Sequence, residues 1–185
     1  HIGGGTCVPY DELDSEASDH ERTALRTIAW ISPMLPSLLT LDIAAAQIDD
    51  GALTAFSADL AAAPTVALRS LDLSSNFVTE DGLEALLKGL HRGSVRLQHL
   101  DLGINRIGDE GCEAVGAALL PGAALSAAVR LSVRANAIGR VTGVCNSLSI
   151  SQLCELDLRE NLLTDKDAHK LIAAAETRDP GRPLT

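Results

Sequence analysis

Aromatic residues are nearly missing from this chain: one Trp, one Tyr and two Phe make up 2% of its 185 residues. The hydrophobic fraction is nevertheless 46%, so a core must be built from Leu, Ala, Val and Ile. The length suffices for one domain that buries such a core. Basic residues are also short. Lys and Arg number 15 against 25 Asp and Glu, a formal charge of −10, and a surface of that sign repels a polyanion such as nucleic acid. No apolar run is long enough to cross a bilayer, and no signal-peptide pattern opens the chain. Neither nucleic acid nor membrane is expected as a partner. The first residue is His rather than Met, which predicts a fragment or a processed chain. No Asn stands in an N-x-Ser/Thr sequon, consistent with an intracellular, cytoplasmic setting.

Chemistry is equally scarce. Cys7, Cys112, Cys145 and Cys154 lack the close pairing of a zinc site and the density of a disulfide framework. Cys112 and Cys145 fall where helix residues should face a core, so buried free thiols are expected. His1, His20, His91, His99 and His169 are scattered and show no metal-ligand spacing. GGG at 3–5 lacks the GK[ST] ending of a phosphate loop. There is no GxSxG elbow and no cysteine in a nucleophile setting. The expectation is no catalytic residue, no cofactor and no metal.

What the chain does have is a rhythm. In LRSLDLSSNFVTEDGLEALLKGL (68–90), Leu71 and Leu73 alternate with polar neighbours, as in a strand. From Leu83 the apolar residues fall at helix spacing, with Leu86, Leu87 and Leu90 following. The stretch LRSLDLSSNFV recurs as LQHLDLGINRI (97–107) and in CELDLRENLL. Weaker copies are AVRLSVRANAI (128–138) and LLTLDIAAAQI (38–48). The middle leucines stand at 41, 71, 100, 131 and 156. Self-similarity at such a period predicts a solenoid in which each unit buries its apolar side against its neighbours.

The pattern LxxLxLxxNxI followed by a helix resembles the leucine-rich repeat family, and the period near 29 looks like its intracellular ribonuclease-inhibitor-like class. The resemblance implies an α/β solenoid of about five repeats, with a curved parallel sheet inside and helices outside. It also implies that Asn76, Asn105, Asn136 and Asn161 form a ladder bonding turn backbone. Ala46 breaks that ladder, which predicts a looser first unit. Acids in TEDG (79–82), GDEG (108–111) and TDKD (164–167) suit helix N-termini. The helices should bury Leu83, Leu86 and Leu90; Cys112, Val115 and Leu119; and Ala168, Leu171 and Ala175. The short fourth unit leaves room for about two helical turns around Val141, Val144, Cys145 and Leu148.

The expected organisation is a flexible leader (1–18), an N-terminal capping helix (19–37), the repeat domain (38–176) and a C-terminal tail (177–185). The capping helix should bury Leu25, Ile28 and Ala29, with Trp30 and Met34 helping to cover the core.

Residues between the inward leucines should line the concave face. The central row reads Asp42, Asp72, Asp101, Ser132 and Asp157. Two residues before it stand Thr40, Ser70, His99, Arg130 and Glu155; two after it stand Ala44, Ser74, Gly103, Arg134 and Arg159. The aspartates form a column of like charges, either merely hydrated or facing a cationic ligand. Arg130 and Arg134 flank Ser132, where the column is interrupted, and are expected to lean toward Asp101 and Asp157. Arg130, Arg134 and Arg159 could instead anchor an acidic partner segment, or merely balance Asp101, Asp157 and Glu155. The leading expectation is a protein-interaction module, part of a larger scaffold or regulatory protein, with an unidentified protein partner on this face. The alternative is a regulator of a small GTPase, because the Ran GTPase-activating protein has this repeat class, or of actin, because SNFVTEDGLEAL is similar to a tropomodulin segment.

Overall fold

The computed structural model describes residues 24, 26–29, 31–63, 65–178 and 184. Five short strands alternate with five helices: β1 (Thr40–Asp42), α1 (Asp50–Ala62), β2 (Ser70–Asp72), α2 (Glu80–Arg92) and β3 (His99–Asp101). There follow α3 (Gly108–Ala118), β4 (Arg130–Ser132), α4 (Thr142–Leu148), β5 (Glu155–Asp157) and α5 (Asp165–Glu176). The strands form one parallel sheet in chain order. Leu41, Leu71, Leu100, Leu131 and Leu156 align across it.

Each strand is three residues long and centred on a leucine that enters the core. Leu71, Leu100 and Leu131 are 1–2% exposed, and Leu73, Leu102 and Val133 are fully buried. The turn after each strand then needs a backbone reversal. The residue before each Asn, or before Ala46 in the first unit, supplies it with a positive φ: Ala45, Ser75, Ile104, Ala135 and Glu160 lie between 52° and 59°. That left-handed conformation is unfavourable for most side chains, and most of all for the β-branched Ile104.

The asparagine ladder is present, and it runs backwards. Asn76 Oδ1 accepts from the N–H groups of Ala46 and Ile48 in the preceding unit, while its Nδ2 donates to Ile43, Leu73 and Ser74 carbonyls. Asn105 serves Val78 and Leu73, Asn136 serves Ile107 and Leu102, and Asn161 serves Ile138 and Val133. Ala46 therefore does not leave the first turn without its ladder bonds, because Asn76 provides them. What the first unit lacks is the donation an Asn makes to carbonyls of its own unit, as Asn76 does to Leu73 and Ser74.

The helices bury the expected faces in the middle of the array. Leu83, Leu86, Leu90, Cys112, Val115 and Leu119 are at most 1% exposed. Where α3 passes α4, both elements use glycine. A Cβ added to Gly116 would fall 2.2 Å from the carbonyl carbon of Gly143, so the two backbones touch. α4 is seven residues, the two turns that the short unit allows.

The ends depart from expectation. At the first, residues 24, 26–29 and 31 are helical, followed by a 3-10 turn at Ser32–Met34. The buried face is Ala24, Ile28, Ile31 and Leu35. Ala29 is exposed rather than buried, and Met34 is also exposed. The helical face is thus rotated from the one predicted. Leu25, Trp30 and the leader lie outside the described residues, as does most of the tail. At the other end Leu156 and Leu158 are only half-buried, Ala168 is exposed, and Leu171 and Ala175 are partly covered. Cys145 is also half-buried rather than buried.

Candidate functional site: the concave face

The parallel register brings the predicted rows together. Ser70 pairs with His99, His99 with Arg130 and Arg130 with Glu155; Asp42 pairs with Asp72, Asp72 with Asp101, Asp101 with Ser132 and Ser132 with Asp157. Ser70, Asp72, His99, Asp101, Arg130, Ser132, Glu155 and Asp157 line a groove of about 250 Å³. Ser74, Arg134 and Arg159 line a second groove of about 190 Å³ with Asp101, Ser132 and Asp157. Asp42 is exposed at the β1 edge and lines neither.

The aspartates have a local task that the sequence reading did not assign. Asp42 Oδ1 accepts the Ala44 N–H at 3.0 Å, Asp72 that of Ser74 at 2.8 Å and Asp101 that of Gly103 at 2.8 Å. Asp157 accepts from the Arg159 N–H at 3.0 Å. Each carboxylate thus satisfies a backbone donor where its strand ends, as Asx turns do. In Asp42, Asp72 and Asp101 one oxygen bonds the chain, and a negative charge remains on the face.

The arginines are occupied, two of them by carboxylates expected to balance them, Glu155 and Asp157, and Arg134 by one that was not. Arg130 Nε lies 3.0 Å from Glu155 Oε2, its neighbour in the row. Arg134 donates to Glu160 Oε1 at 2.5 Å rather than to Asp101 or Asp157. Glu160 wins because it lies on the neighbouring strand's turn, and the Arg134 side chain extends that way. Arg159 folds over Asp157, with Nε 2.9 Å from Oδ1 and Nη2 2.7 Å from Oδ2. The Arg159 side-chain hydrogen bonds, helped by its backbone N–H and its charge, hold the Asp157 carboxyl below its ordinary pKa. Asp72 and Asp101 have no salt bridge among the described residues. The face is consequently divided: its β1–β3 half carries unneutralised carboxylates, and its β4–β5 half carries balanced pairs.

Two residues of this surface were absent from the sequence reading. Ile104 is 49% exposed and lines the second groove; Glu160 is the Arg134 partner. Both occupy the left-handed position before the Asn, a row in the repeat alignment that can be read once its geometry is known. Another is Asp50 at the head of α1. It accepts from the Thr79 N–H at 2.9 Å and its hydroxyl at 2.7 Å, tying two units together.

Burial pushes the Cys112 thiol up to about 12, aided by the nearby Glu113 and Asp109 charges, so it stays a protonated core residue. Among the described residues no cluster of side chains could hold a metal ion, and no helix is long and apolar enough to cross a membrane.

A family model described as Leucine Rich repeat matches residues 68–87 and 96–116, the second and third units. Those two matches support a leucine-rich repeat family. Together with the open parallel sheet they define the fold as an α/β leucine-rich repeat solenoid of about five repeats. Repeats of this family generally mediate protein–protein interaction. No curated protein matches the chain.

Proposed function

We propose that this chain is a protein-interaction module that receives a basic segment of its partner on the β1–β3 half of the concave face. The observation that supports this reading is the division of charge. Asp72 and Asp101 stand in register and make no ion pair among the described residues, whereas Arg130, Arg134 and Arg159 each hold a carboxylate of this chain. An acidic partner would meet arginines whose charge a carboxylate of this chain already balances. A basic one meets charges already in place, in a groove whose rigid strands need no ordering. The reading extends to a ribonuclease-inhibitor-like, cytoplasmic module within a larger scaffold or regulatory protein. The GTPase and actin alternatives draw support from no residue of the face.

The test uses Asp72→Asn/Asp101→Asn, which keeps an acceptor oxygen for each turn and removes both charges. Proteins captured from a native lysate by the unaltered chain should be lost on the double variant and kept by Arg134→Gln/Arg159→Gln. Capture that depends on the arginines instead would move the interface to the other half.

A further inference from the structure

We propose that the edge of the solenoid where the strands begin is a second interaction surface, which takes an acidic segment of a partner protein on Arg69, Arg92 and Arg96. This goes beyond the concave-face reading and does not depend on it.

The first observation is a partition of charge between two edges. The strands run parallel in chain order, so every link that leads into a strand lies on one edge and every link that leads into a helix on the other. The helix starts carry Asp50, Glu80, Asp81, Asp109, Glu110 and Asp165. The links into the strands, 35–39, 63–69, 93–98, 119–129 and 149–154, contain no Asp or Glu. The second observation is a set of unmatched arginines. Arg130, Arg134, Arg140 and Arg159 are each held by a carboxylate. Arg69, Arg92 and Arg96 are exposed and make no ion pair among the described residues. A cation in the last turn suits the end of α2, which accounts for Arg92. It does not account for Arg69 and Arg96, which lie outside the helices.

The backbone beneath these arginines is fixed. Arg69 Nη1 donates to the Leu68 carbonyl at 3.3 Å and to the Arg96 carbonyl at 3.4 Å, so one guanidinium joins two units. That leaves Nε and Nη2, the two donors with which Arg159 holds Asp157, for an incoming carboxylate. Between Arg92 and Arg96 the chain turns tightly. The Ser94 N–H donates to the His91 carbonyl at 3.1 Å, and the Val95 N–H to that of Leu90 at 2.9 Å. A Cβ on Gly93 would fall 2.3 Å from the Leu60 carbonyl oxygen, so the turn is seated against the end of α1. Side chains on such a backbone lose little freedom when a partner binds.

Why a protein segment? Leu39, 61% exposed, is the register neighbour of Arg69, whose N–H donates to the Leu39 carbonyl at 2.8 Å. The link that holds Leu120, 40% exposed, closes a cleft of about 90 Å³ against His91, Ser94 and Arg96. Arginine among exposed leucines suits a partner that brings acidic and apolar residues together. Anionic membranes are held by clusters of roughly four to eight Lys and Arg. A nucleic-acid strand would carry its phosphates on toward the carboxylates of the concave face. A short acidic segment meets neither difficulty. The acidic helix starts lie about 20 Å away, the length of the 13-residue α2, well beyond a screening length of about 8 Å.

Phage-displayed random peptides selected on the full chain test this. The selected sequences should include a class rich in Asp and Glu with apolar residues among them. A labelled peptide of that class, titrated by fluorescence anisotropy, should bind Arg69→Gln/Arg92→Gln/Arg96→Gln about tenfold more weakly or worse. All three positions are exposed, so that variant should keep the native circular dichroism. Arg134→Gln/Arg140→Gln/Arg159→Gln changes the net charge equally and should hold the peptide within about twofold of the native affinity. Asp72→Asn/Asp101→Asn should also retain it, which separates this surface from the concave face. Selection that yields no acidic class, equal losses on the two arginine triples, or a peptide indifferent to the edge triple would each overturn the proposal. So would edge arginines that retain phosphatidylserine vesicles or an RNA oligonucleotide but no acidic peptide.

Discussion

Asn105 is 9% exposed and lies in a turn, yet its side chain bonds two units. Replacing it by Ala strands the buried Val78 N–H, and the Leu73 and Leu102 carbonyls each lose one of two donors. The expected loss is about 1–3 kcal/mol in urea unfolding. A change of a few tenths would mean that water replaces the amide. Its neighbour should respond in the opposite direction. Ile104 holds φ at 56° with an exposed side chain, so it carries strain with little burial in return. Ile104→Asn should raise the unfolding free energy by up to about 1 kcal/mol, since Asn tolerates this conformation and Ile does not. The ladder could be read from the repeated Asn, because a buried amide must find partners. The left-handed row could not, for Ala, Ser, Ile and Glu share no side-chain property that announces it. The Asp–turn bonds escaped for a related reason: the partner is a backbone N–H two residues on, which leaves no mark in the alignment of side chains.

Among the elements, α5 begins with the most self-contained terminus. Thr164 and Asp167 form a capping box, with the Asp167 carboxylate accepting the Thr164 hydroxyl at 2.6 Å and its N–H at 3.2 Å. Lys170 approaches the other oxygen at 2.9 Å. The Thr164 hydroxyl, then Lys170, lower the Asp167 pKa from 3.8 to about 2. A carboxyl whose pKa is lower in the folded state stabilises the fold above its unfolded pKa, and that stabilisation disappears as pH falls through the folded value. Stability contributed by this box should therefore be complete above about pH 4–5 and fade toward pH 2. Urea midpoints measured over that window should fall less steeply for Asp167→Asn than for the native chain. Equal slopes would show that the box does not form in solution. Acids before a helix were legible as dipole partners in the TDKD motif. Asp50 was not legible as a link between units, because its partner Thr79 lies in the next unit and is approached only after both helices are placed.

Over the whole molecule, burial is graded along the solenoid axis. Leu100 and Leu156 have the same place in their units, but Leu100 is 2% exposed and Leu156 is half-buried. Leu100→Ala should cost about 2–5 kcal/mol and Leu156→Ala distinctly less, because an open edge can relax around the loss. Equal costs would indicate that the end layer is covered in solution. The period, strand register and inward leucines were readable because burial alone selects them. The Arg134 partner, Glu160, was not, since a long side chain chooses among several carboxylates by the exact tilt of each turn. The backward ladder has a further consequence when the protein is made. Val78 obtains its acceptor from Asn105, 27 residues later in the chain, and Ala46 waits 30 residues for Asn76. On a ribosome, each turn must leave the exit tunnel and remain open until nearly a whole further unit has been translated, so ordering trails synthesis by one repeat.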